Sequence, residues 1–255
     1  MRAECQFAKA GQGLFYNGIL IDDRGKRFSF VYDCGTLPWL QANYVLNKSI
    51  WTYKDFIKNR LDLLFISHFH QDHISHIPEL LSNISVGTVV IPYIDPDMRL
   101  LLAAQYDGIE TDGDRISFFR EPSKWLLDRG AEKVITIRGA DDFGEENKNE
   151  QGIKPNPEKD PEYLTISYNS RNSSENSETI ECEGWCSLTS WYYAWEFKTF
   201  NPYPEKYSVE LIDSVRAILN ENDGDFRKIL RDKSLREKLK KLLLQKINIG
   251  ICLRI

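Results

Sequence analysis

Several scarcities narrow the reading of this 255-residue chain. No apolar run approaches the roughly 18 to 20 residues of a membrane span, so a membrane protein is not expected. The opening segment, MRAECQFAKAGQG, lacks the apolar core of a signal peptide. The five cysteines, at 5, 34, 182, 186 and 252, are odd in number and scattered, which argues against a disulfide framework. Together these features lead to the expectation of a reduced, cytoplasmic protein. Cys182 and Cys186 are spaced CxxxC, a lone thiol pair and a poor zinc signal. A formal charge of −5 does not announce a nucleic-acid binder. Histidine is scarce too: there are four, and none lies after position 76.

What is present is an ordinary soluble composition, 42% apolar and 28% charged, in a chain long enough to bury a sizeable core. The four histidines are concentrated in one stretch, residues 65 to 78, FISHFHQDHISHIP. The preceding Leu61 to Ile66 is a short apolar run with strand character, and a buried strand delivers its next loop to the rim of a sheet. In an extended loop His68 and His70 can point the same way, because side chains alternate with period two. Asp72 and His73 follow at the turn. Imidazole and carboxylate donors suit Zn²⁺, and also Mn²⁺ or Fe. The spacing suggests two adjacent half-sites, His68 with His70 and Asp72 with His73. A metal pair there would clamp a phosphoryl or acyl group and make a bound water acidic. His76, just before Pro78, reads as a surface residue at a helix start rather than a ligand.

The HxHxDH order of His68, His70, Asp72 and His73 resembles the signature of the metallo-β-lactamase-fold hydrolases. A second match is the strand RFSFVY, residues 27 to 32, which ends in Asp33-Cys34-Gly35. In that family the equivalent aspartate supports the metal loop, and the resemblance assigns this role to Asp33. The Gly11-Gln12-Gly13 turn is similar to one branch, the catalytic domain attached to competence-type DNA-uptake channels. The resemblance implies an α/β fold, an αββα sandwich, with two Zn²⁺ ions held by His68, His70, Asp72 and His73. Asp72 is also the candidate catalytic residue, orienting the nucleophilic water.

Along the chain, strands are expected at 3–8, 14–21 and 27–32, then one or two short helices in 38–60. The 61–66 strand and the metal loop come next. A helix follows through Ile77, Leu80, Leu81 and Ile84, then a strand at 88–91. Helices at 96–106 and 122–129 and a strand at 132–137 complete a βαβ rhythm typical of a layered α/β sheet. This divides the chain into 1–139, the metallo-β-lactamase-like part; 140–183, a polar and flexible insertion; and 184–255, an aromatic segment, helices and a terminal strand of the same domain. The insertion carries twelve acidic residues against four basic, too polar to bury much surface, although 163–168 has strand character. The aromatics of 185–200 suit either base stacking or sheet packing, with packing favoured. Helices are expected at 205–221 and 234–246. The 225–246 segment has nine basic and three acidic residues, a face able to steer phosphates or simply a solvated one. KINIGICLRI, 246–255, alternates as a strand and would offer a pairing edge to a partner chain.

Two-metal members of the family carry further ligands well after HxHxDH, including a last histidine, and these later histidines are missing here. The later part of the usual fold therefore reads as absent: truncated, split onto a second chain, or lost. The function expected is metal-dependent hydrolysis of a phosphodiester, a nucleotide or a related ester. The alternative is a non-catalytic or truncated subunit of the same fold that pairs with a second chain.

Overall fold

The computed structural model describes residues 2–38, 40–138, 151–153, 164–170, 178–190, 195–200 and 209–247. In chain order its elements are β1 (Arg2–Phe7), β2 (Gly13–Ile21), β3 (Arg27–Thr36), α1 (Leu40–Phe56), β4 (Arg60–Phe65), α2 (Gln71–Ile74), α3 (Ile77–Leu81), β5 (Ser85–Pro92), α4 (Pro96–Gln105), α5 (Gly113–Arg120), α6 (Pro122–Leu127), β6 (Ala131–Arg138), β7 (Gln151–Ile153), β8 (Leu164–Ser170), β9 (Thr179–Ser190), β10 (Trp195–Phe200), α7 (Val209–Glu221), α8 (Phe226–Arg231) and α9 (Lys233–Ile247). They fall into two compact units, residues 1–93 with 126–204 and residues 94–125 with 205–255.

All ten strands among the described residues belong to the first unit and form one mixed sheet in the order β1-β2-β3-β4-β5-β6-β9-β8-β7, with β10 also paired to β9. The first three strands are antiparallel. From β3 through β4, β5 and β6 to β9 the pairing is parallel, which sends the C-terminal ends of these strands to one rim. Beyond β9 the pairing with β8 and β10 is antiparallel. Residues 179–183 of β9 pair with β6, whereas 185–190 pair with β10. The strand therefore changes edge partner along its length.

Period-two alternation explains the core. Leu20, Phe28, Phe30, Leu63, Phe65, Val90, Ile135 and Ile137 share one buried cluster with Ile180, Cys182 and Leu188 of β9. Leu188 lies in the part of β9 paired with β10, so the cluster extends along β9 past its pairing with β6. On α1, Leu46, Ile50 and Tyr53 make a buried stripe at helical spacing. The Tyr53 hydroxyl is shared between the carbonyls of Gly18 and Phe30, each at 2.9 Å, which ties α1 to β2 and β3. Gly18 itself leaves room for the neighbouring strands: a Cβ there would lie 2.7 Å from the Glu4 carbonyl and 2.9 Å from the Phe30 ring.

The second unit is helical among the described residues. Asp112 caps α5 by accepting from the Arg115 amide at 2.9 Å, and Asp225 caps α8 through the Arg227 and Lys228 amides. Arg216 of α7 pairs with Asp97 of α4 at 2.8 Å.

Three expectations change. The 38–60 region holds a single 17-residue helix, because its apolar stripe runs on without a break. The short helices α5 and α8 were not foreseen; each has only 6 to 8 residues, too few for a clear period. Lys246, which both the 234–246 helix and the terminal strand claimed, belongs with Ile247 to α9, and the rest of that strand, 248–255, lies outside the described residues. Most of the 140–163 insertion and the side chains of the 185–200 aromatics also lie outside them, although β8 occupies 164–170 as its strand character suggested. Among the described residues no helix is long and apolar enough to cross a membrane.

Candidate metal centre

The loop after β4 sits at the rim where the parallel strands end. Ile66 prolongs the ladder by donating to the Val90 carbonyl at 2.9 Å, and the chain then leaves the sheet. Ser67 meets Asp33 of β3. Its amide donates to Asp33 Oδ1 at 2.7 Å and its hydroxyl donates to Oδ2 at 2.5 Å. Asp33 is fully buried and sits in the left-handed backbone region, φ 57°, a conformation that aspartate tolerates better than most residues. Asp33 lies within β3, and its carboxylate meets the start of the loop.

The same carboxylate reaches the end of the loop. Asp33 Oδ2 lies 2.7 Å from His73 Nδ1, so this nitrogen donates, and in the neutral imidazole His73 Nε2 keeps its lone pair. His68 Nδ1 lies 2.8 Å from Ser67 Oγ. The Ser67 proton is directed to Asp33, so His68 Nδ1 is the donor and Nε2 the acceptor. His68 Nε2 is buried and has no hydrogen-bond partner. The His68 and His73 rings lie 3.8 Å apart between centroids, and His70 lies 4.9 Å from His68. Asp72 Oδ2 is 3.5 Å from His73 Nε2.

The electrostatics follow this wiring. Burial, with His73 and His70 close by, lowers the His68 pKa from 6.5 to about 4. Burial also lowers that of His70. For His73 burial acts downward, but the hydrogen bond and charge of Asp33 and the charge of Asp72 outweigh it and leave the pKa raised.

Two glycines let the loop pack here. A Cβ on Gly35 would come within 2.6 Å of the His73 carbonyl carbon and 2.7 Å of the Asp72 carbonyl group. A Cβ on Gly13 would meet Gly35 O at 2.2 Å and Asp72 O at 2.8 Å. Gly13 of the Gly-Gln-Gly turn and Gly35 thus have a steric reason: backbone passes where a side chain would stand. Ser75 fastens the far side, accepting from the Thr36 amide and donating to the Thr36 carbonyl, each at 2.8 Å.

The structure places Asp72 beside His73 and the His70 ring beside His68, but neither His70 nor Asp72 belongs to the tightest donor group. Donor atoms of Asp33, His68 and His73 lie within 4.8 Å of one another. The Asp33 oxygens already accept three hydrogen bonds, so this residue is better suited to orient imidazoles than to bind an ion. His76 corrects an expectation: it is buried, its amide donates to Cys34 O at 2.9 Å and its Nδ1 lies 3.0 Å from Ser75 Oγ. Ser67 was not foreseen as part of the site. The available signal was its place, directly between the strand and the first histidine.

The fold is α/β, of the metallo-β-lactamase-like kind. No family model matches the chain. Over 130 residues it is 38% identical to the cleavage and polyadenylation specificity factor 73 of Drosophila melanogaster, a match that takes in 50% of this chain and 18% of that protein. This chain thus spans less than a fifth of that relative's length.

Proposed function

We propose that the chain is a metal-dependent hydrolase of the metallo-β-lactamase type acting on a phosphodiester, with His68, His70, Asp72 and His73 as the residues that would hold zinc. The observation that carries this is the buried, unpartnered Nε2 of His68. An unsatisfied buried nitrogen costs about 1–3 kcal/mol, and a cation would satisfy it. The donor chemistry fits: His68 and His73 both have Nδ1 engaged and Nε2 as acceptor, the arrangement that fixes a ligating imidazole. His68 stays neutral through the physiological range because of its lowered pKa. Zinc in such a site supplies Lewis acidity and a water acidic enough to ionise near neutral pH, and Mn²⁺ or Fe would serve the same donors.

In this reading Asp33 and Ser67 hold the two imidazoles. Asp72, half-buried next to His73 Nε2, completes the donor set and orients the attacking water. Two observations support a phosphodiester over other esters. The relative's name concerns cleavage and polyadenylation, reactions of a polynucleotide. The basic residues Arg227, Lys228, Arg231, Lys233, Lys238 and Lys241 are exposed, and such a surface attracts phosphates.

One observation favours a second reading. All four histidines lie between 68 and 76, so no later histidine in this chain completes a two-metal donor set. That suits a non-catalytic or incomplete subunit that pairs with a second chain. Elemental analysis of protein purified without chelator, together with hydrolysis of bis(p-nitrophenyl) phosphate, decides. Bound zinc lost in His70→Ala, with turnover lost in Asp72→Ala, supports the hydrolase. Absence of both metal and turnover from the wild type would sink it.

A further inference from the structure

We propose that Arg138, stacked on Tyr93 and held by Glu181, is a recognition point for a phosphate group of a polynucleotide substrate on the same rim as the metal loop. The proposal deepens the phosphodiester reading and rests on it for the identity of the ligand.

Strand register places the residues. Phe65 pairs with Val90, and Val90 with Ile135, across three parallel strands. The ladders continue past this level: Ile66 donates to Val90 O at 2.9 Å and Tyr93 donates to Ile137 O at 2.8 Å. His68, Tyr93 and Arg138 each stand three residues beyond the matched level. They leave the same rim from β4, β5 and β6. Neighbouring strands lie about 4.8 Å apart, so the line of β6 is roughly 10 Å from that of β4. Crevices at the C-terminal ends of parallel strands are where open α/β sheets take ligands.

The side-chain geometry suits an anion. The Arg138 guanidinium lies 3.7 Å over the Tyr93 ring centroid, which fixes its plane. Its Nε and Nη2 donate to one oxygen, Glu181 Oε2, at 3.1 and 3.0 Å. A planar fork of this kind matches phosphate as well as carboxylate. The pair is open to water, with side-chain exposures of 36% and 58%, so Glu181 is held weakly and an incoming phosphate can replace it. Glu181 then acts as a competitor that turns away weaker anions.

The test is binding of a fluorescein-labelled oligothymidylate to the full chain at low salt, with chelator present to prevent cleavage. Loss of a charge-assisted contact predicts a roughly tenfold weaker Kd for Arg138→Gln, with part of the affinity kept in Arg138→Lys. Glu181→Gln, which removes the competitor, should bind about threefold more tightly. Equal Kd values for wild type, Arg138→Gln and Glu181→Gln, all folded by circular dichroism, would reduce the cluster to a surface ion pair. No binding by the wild type would overturn the proposal as well. The hydrolase reading fails separately, through metal content and turnover, and leaves these binding constants unaffected.

Discussion

Strands β3 and β4 are joined by the same device at both ends, and only one end is a candidate site. At the N-terminal end, Asp62 accepts from the Ser29 amide at 2.7 Å and lies 2.9 Å from its hydroxyl, while the Asp62 amide returns a bond to Ser29 Oγ at 3.0 Å. At the C-terminal end, Asp33 accepts from the amide and hydroxyl of Ser67. The pairs share residue types and pairing, and differ in where the remaining capacity goes. Asp62 and Ser29 close on themselves and on Arg60, whose Nε lies 3.5 Å from Asp62 Oδ1. Asp33 and Ser67 pass their remaining bonds outward to His73 and His68. The same aspartate–serine clasp thus closes on itself at one end and reaches a loop of histidines at the other.

The largest effect should come from exchanging the two aspartates. Asp33→Asn puts an amide donor beside donors on Ser67 and His73, and zinc affinity should fall roughly 10- to 100-fold, measured by competition with a chromophoric chelator. Asp62→Asn should leave affinity at the wild-type value. Burial already raises the Asp62 pKa, so its charge is not favoured there and a neutral side chain is tolerated. Equal losses in both variants would break the comparison.

Gly35→Ala comes next. The new methyl meets the backbone of Asp72 and His73, at a cost of about 1–3 kcal/mol by urea denaturation together with loss of zinc. A fully stable, zinc-binding Gly35→Ala would mean the loop is not seated on β3 as described. A milder pair sharpens the contrast: Ser67→Ala should cost roughly tenfold in zinc affinity, whereas Ser29→Ala should cost about 1 kcal/mol of stability and no affinity.

The smallest effect is a pH dependence of the metal-free protein. The His68 pKa is lowered on folding, so the unfolded chain takes up this proton near 6.5 and the folded chain only at about 4. The stability associated with neutral His68 is intact above 6.5 and is lost as pH falls toward 4. His73, raised by Asp33, has the opposite slope: its stabilisation is present below 6.5 and is lost as pH rises through its folded pKa. Comparison with His68→Asn isolates the first term. The wild type should lose more stability than the variant between these pH values, and parallel curves would contradict the burial of His68.

The sequence by itself determined which donor residues stand in the loop, the strand that delivers it and the α/β class. These depend on spacing within a few residues, as in HxHxDH and the alternation of β3 and β4. It also marked Asp33 through its place before Cys34-Gly35. Tertiary structure alone decided the contacts of Ser67, the burial of His76 and the alignment of Tyr93 and Arg138 with the histidine loop. It also showed why Gly13 and Gly35 must be glycines. Each of these depends on register or close approach between segments distant in the chain. Asp33 and Ser67 are 34 positions apart, and a slip of one residue between β3 and β4 would turn one of them to the other face.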